Sequence, residues 1–170
     1  MPESTFVNGD AMKLSTENTV AQHFETTLLR LLEETFENVQ GAFLDKGTSL
    51  LQTLASLSSE QASVPVSESG ASIAGHVEHT RFYLAVLLDA AHGKLTGTID
   101  WEQSWQVKTV TPEKWTALQA ALRETYQQVL TLVKTEGNWE DEEHVGDTMA
   151  ILAHTAYHLG AIRMALAVVR

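Results

Sequence analysis

The spacing of apolar residues constrains this chain more than any other feature. Val20, Phe24, Leu28, Leu31, Leu32, Phe36 and Val39 recur every three or four positions, as one face of an α-helix requires. The same period returns in three later segments, and little interrupts it. There are only three prolines, Pro2, Pro65 and Pro112. Apolar stripes of this kind are buried by packing helices against each other, so the pattern predicts an all-α fold, a four-helix bundle.

The punctuation sets the expected boundaries. The first helix runs from about Thr16 to Val39. A short extra helix spans about Ser49 to Leu57, after the breaker Asp45-Lys46-Gly47, and a polar loop follows from Ser58 to Gly70. The second long helix starts near Ala71 and stops at Gly93, a residue suited to the left-handed position after a helix. Thr111-Pro112-Glu113 supplies a cap, a proline at the first turn and an acid at the positive end of the dipole. The third helix therefore begins there and continues through Val133. The fourth runs from about Glu142 to the C-terminus. Lys94 to Val110 reads as an irregular crossover, with a trace of strand character near Thr96–Val107.

Composition narrows the function. At 170 residues and 44% apolar, the chain is expected to form a single domain over residues 1–170. Eleven Lys+Arg against 22 Asp+Glu leave a formal charge of -11, which repels phosphate backbones and anionic headgroups. No nucleic acid and no membrane surface is expected as a partner. The start of the chain lacks a basic, apolar signal, and runs such as Leu84–Leu88 are too short to span a bilayer. The expectation is a cytoplasmic protein. Cysteine is absent, which excludes disulfides, thiolate metal sites and a cysteine nucleophile. Seven histidines remain as the main groups for chemistry near neutral pH.

Two of these, His154 and His158, are four apart. That spacing puts both imidazoles on one helix face, close enough to bind the same ion. Ile151, Ile162, Ala165 and Val169 continue the stripe, so the pair is expected to face inward. A second pair, His76 and His79, opens the second long helix. On a wheel of 100° per residue the apolar stripe centres on Ile73, Val77, Leu84 and Leu87. His76 lies at the edge of that stripe, in line with Thr80 and Tyr83, and His79 lies on the flank. The wheel therefore favours His76 as the inward ligand. Gly75 beside it removes bulk and would leave room for a ligand. A bland reading, with both as polar boundary residues, stays open.

Other site patterns are missing. No histidine is followed directly by glutamate, as a zincin requires, and no Glu-x-x-His occurs, as a ferritin-like di-iron site requires. A phosphate loop, a dinucleotide fingerprint and a nucleophile elbow are also absent. Tyr157 is expected to point away from the histidine face. Trp101 and Trp105 read as core packing or as the rim of a pocket. His23, on the first helix, reads as a partly buried histidine, and His92, His144 and Arg163 read as surface or helix-end residues.

Together these residues resemble the DinB/YfiT-like superfamily. The resemblance is carried by Gly41-Ala42-Phe43-Leu44, Ser72-Ile73-Ala74-Gly75-His76, Asp100-Trp101 and, most specifically, the stretch His154-Thr155-Ala156-Tyr157-His158-Leu159-Gly160-Ala161-Ile162-Arg163. It implies a helical bundle holding one divalent ion, zinc or nickel, through His76, His154 and His158, with His79 as the alternative first ligand. It further implies a metal-dependent transferase using a low-molecular-weight thiol such as bacillithiol, mycothiol or glutathione, with a small-molecule substrate. A homodimer through helix faces is also consistent with it. The competing reading is a non-catalytic bundle in which the ion is structural or a small ligand binds without turnover.

Overall fold

The computed structural model describes residues 8–68 and 70–169, with residues 8–18 described for backbone only. The fold is all-α. Helices α1 (Asn8–Phe36), α4 (Ile73–Ala91), α5 (Pro112–Thr135) and α6 (Glu142–Val169) are long, and α2 (Leu50–Ala55) and α3 (Ser59–Ala62) are short. The crossover holds a 3-10 helix, Trp101–Trp105. No strand occurs among the described residues, whose only β contact is an isolated bridge between Pro65 and Ser72. The trace of strand expected near Thr96–Val107 is thus replaced by a 3-10 turn, which Asp100 caps by accepting from the Glu102 amide.

Sequence signals at the helix ends act as their chemistry requires. Thr111 caps α5 through the Lys114 amide, and Pro112 occupies the first turn. Gly93 follows α4 at φ +63°, a conformation that costs a residue with a Cβ. The Ser58–Gly70 loop contains a turn of helix that the apolar pattern did not reveal. It is nucleated by a capping box in which Ser58 and Gln61 exchange bonds. Helix α1 begins at Asn8, earlier than the expected Thr16, and Val20 from its apolar series is exposed.

Helix α4 packs against α5, α6 and the 3-10 helix, and α1 packs against α6 and α5. The core draws Leu32 and Phe36 from α1, Val77 and Leu84 from α4, Leu122 and Tyr126 from α5, and Ile151, Leu159 and Ile162 from α6. Phe36 and Tyr126 stack with centroids 4.2 Å apart. Helix α6 is apolar on more than its buried face, with Met149, Tyr157, Met164 and Val168 exposed. By length and composition it is the one described helix that passes as able to cross a membrane. Its mean hydropathy, rather than any single run, carries that property, which is why short runs did not reveal it.

Helix α1 ends on a buried carboxylate. Glu34 is fully buried and accepts the amides of Gln40, Ala42, Phe43 and Leu44 at 2.7–3.1 Å. Burial pushes its carboxyl up, but the four amide bonds outweigh burial and hold it at about 2. Gly41, at φ +80°, lets this loop fold back onto the acid.

Candidate metal centre

The site lies where the start of α4 meets the middle of α6 under the 3-10 helix. Ser72 begins it. Its hydroxyl accepts from the Gly75 amide, capping α4, and donates to the Lys108 carbonyl at 2.7 Å. This draws the crossover over the helix. A Cβ at Gly75 would sit 2.9 Å from the Val107 carbonyl. The space that glycine leaves is therefore filled by backbone, not by room for a ligand.

Four imidazoles from the two helices converge. Nε2 of His79 is 3.2 Å from Nε2 of His154. Nδ1 of His76 is 3.0 Å from Nδ1 of His158. His79, His154 and His158 each offer a ring nitrogen within 4.8 Å of the other two. The structure thus brings together His154 and His158 as the spacing predicts, and the third member of the close group is His79. His76 adjoins the group through its contact with His158. The wheel ranked these two the other way because it saw only the apolar stripe of α4. The 3-10 helix packed against α4 is invisible to it.

That 3-10 helix shapes the site. Trp105 stacks on His79 with centroids 4.0 Å apart and planes 16° apart, and it meets His76 edge-on at 5.4 Å. Nδ1 of His79 lies 2.7 Å from the hydroxyl of the buried Ser104. On the far side, Tyr83 stacks on His154 at 3.7 Å. Trp105 thus packs on two of the imidazoles, while Trp101 is 40% exposed and leans on Phe82 and Tyr83. Ser104 was not singled out in the sequence, where a lone serine in a crossover carries no signal. Tyr157 is 72% exposed, as its place on α6 predicts.

The remaining histidines lie apart. His23 is exposed. His92 ends α4 and lies 3.6 Å from Glu136. His144 packs edge-on to Trp139 near the start of α6. Arg163 is exposed.

Burial keeps the clustered rings neutral. It pushes His158 down to about 3, helped by His154, His79 and His76, and pushes His154 down to about 4, helped by His79. His76 is lowered by burial, and His79 by burial and then by His76. Neutral imidazole is the form that ligates. Two nitrogens bound to one ion at about 2.0–2.1 Å in tetrahedral geometry stand about 3.3 Å apart, close to both observed N···N separations. The donor set is all nitrogen, which suits zinc, nickel or copper better than magnesium or calcium. The residues therefore fit a divalent transition metal.

Comparison with protein-family models, with curated proteins and with solved structures finds no match for this chain.

Proposed function

We propose that this protein is a DinB/YfiT-like four-helix bundle that binds one divalent ion, zinc or nickel, and uses it to transfer a low-molecular-weight thiol to a small electrophilic substrate. The observation that carries the metal reading is the approach of His79, His154 and His158 within 4.8 Å of one another. The residue resemblance along α4 and α6 supports the family and the thiol chemistry. The absence of cysteine means that any sulfur nucleophile arrives as a co-substrate. When bound, the ion would act as a Lewis acid that lowers the pKa of a coordinated thiol.

The chain's own residues have simpler tasks. The three imidazoles offer lone pairs that burial keeps unprotonated. Trp105 and Tyr83, each stacked on a ligand ring, hold those rings in orientation and keep water from their faces. The charge of -11 weighs against nucleic acid and anionic lipid as partners, and the reading places the protein in the cytoplasm.

A second reading has its own support. His76 lies 3.0 Å from His158, so a fourth imidazole is at hand to close a tetrahedral shell. A closed shell is the structural pattern, and three ligands with an open position are the catalytic one. The test is a panel of bacillithiol, mycothiol and glutathione with common electrophiles, run with metal-free, metal-loaded and His154→Ala protein. The transferase reading predicts acceleration by the loaded wild-type protein alone. No rate above free metal in buffer, for any pair, leaves the non-catalytic reading.

A further inference from the structure

We propose that Ser104 is a positioning residue for the metal centre: it fixes the tautomer of His79 so that Nε2 carries the lone pair and faces the histidine cluster. The inference rests on the metal reading above and extends it to a residue from the crossover.

The direction of the hydrogen bonds follows from counting hydrogens. A serine hydroxyl has one hydrogen to give. Ser104 donates it to the Trp101 carbonyl at 2.6 Å, an acceptor that can only accept. The contact of 2.7 Å between Ser104 Oγ and His79 Nδ1 therefore needs its hydrogen from the ring. Nδ1 is the protonated nitrogen of the neutral imidazole, and Nε2 is bare. Nε2 is the atom that lies 3.2 Å from Nε2 of His154. The chain of bonds thus runs from a fixed backbone carbonyl, through one hydroxyl, to a ligand atom. In the metal-free protein the same logic places a hydrogen on Nε2 of His154, because His79 has none to contribute to their contact.

The surroundings hold this arrangement in place. Ser104 is fully buried, so water cannot replace its hydroxyl easily. The carbonyl belongs to the 3-10 helix itself, which Asp100 caps. Trp105, the next residue, covers the face of the same imidazole. A ring held both by its face and by its outer nitrogen has little freedom to flip. Partners of this kind orient metal-binding histidines and raise their basicity, and losing one costs about 10–100-fold in metal affinity.

Two measurements test the assignment. Long-range proton–nitrogen correlation spectra of the metal-free wild-type chain should show a protonated Nδ1 and a bare Nε2 at His79, with the reverse at His154. A protonated Nε2 at His79 overturns the proposal without any variant being needed. Zinc affinity by chelator competition is then compared in wild type, Ser104→Ala, His79→Ala and the double variant. Ser104→Ala should weaken zinc binding about 10–100-fold, and should have no further effect once His79 is replaced. An unchanged affinity in Ser104→Ala, or an equal loss in the His79→Ala background, overturns it. A wild-type chain that binds no zinc overturns the function proposed above instead, and the ring-nitrogen spectra then decide the role of Ser104 alone.

Discussion

Nε2 of His79, on α4, lies 3.2 Å from Nε2 of His154, on α6, across 75 positions of sequence. Two neutral rings at that distance share either one hydrogen or one ion. Burial lowers the proton affinity of both rings, so protonation is a poor way to relieve the contact near neutral pH. A divalent ion relieves it and engages His158 at the same time.

The first prediction follows from membership in the close group. Replacing His79, His154 or His158 by alanine should each lower zinc affinity at least about tenfold, since a ligand matters no less than a residue that merely orients one. His76→Ala should cost less, because His76 lies outside the close group of His79, His154 and His158 and its ring nitrogen meets only that of His158 at hydrogen-bond distance. Chelator competition on the four variants gives the order. A larger loss from His76→Ala than from His79→Ala would return the site to the arrangement expected from the helical wheel.

Acid should destabilise the metal-free protein in a defined window. The folded-state values of His154 and His158, about 4 and about 3, lie below the ordinary 6.5. The unfolded chain therefore takes up protons first as pH falls. The stability contribution is fully present above about 6.5 and is lost progressively towards the folded-state values. Urea midpoints of chelator-treated protein should fall between about pH 7 and about pH 5. Replacing His158 by a neutral apolar residue of similar size should flatten that dependence. Equal midpoints at the two pH values would contradict it.

Glu34 acts in a separate window. Its carboxyl is held at about 2 against an ordinary 4.5, the four amide bonds overcoming burial. Its contribution is present above about 4.5 and disappears as pH falls towards 2. Glu34→Gln removes the charge while keeping much of the shape, and it leaves at least one amide without its acceptor. It should lower the melting temperature at neutral pH and have little effect near pH 2, as followed by circular dichroism. A melting temperature unchanged at neutral pH would show that the loop does not depend on the acid.

Much of this was legible in the sequence, and the reasons differ by element. The long helices announced themselves because apolar period, caps and breakers agree, as at Thr111-Pro112 and Gly93. His154 and His158 were legible because a spacing of four fixes their relative direction on any helix. That His79, rather than His76, stands in the close group is not legible from the stripe of α4, and neither are Ser104 and Trp105 as partners of a histidine. Their roles arise from how the crossover docks on α4, and no period in the chain encodes that docking. The buried role of Glu34 was hidden for a similar reason. Its partners are backbone amides of residues 40–44, which any side chains would supply.

The core offers a simple stability check. Phe36 is fully buried and stacks on Tyr126. Phe36→Ala should cost about 3–5 kcal/mol by lost burial and the cavity left behind, read from urea unfolding at fixed pH. A loss below about 1 kcal/mol would mean that α1 is not packed on α5 as described.

The metal centre itself is tested most directly by elemental analysis of the full chain purified without added metal, beside the double variant His154→Ala, His158→Ala. The account predicts one equivalent of a divalent transition metal per wild-type chain and none above buffer in the folded variant. Wild-type protein that carries no such metal, and takes up none when zinc or nickel is supplied, would contradict it.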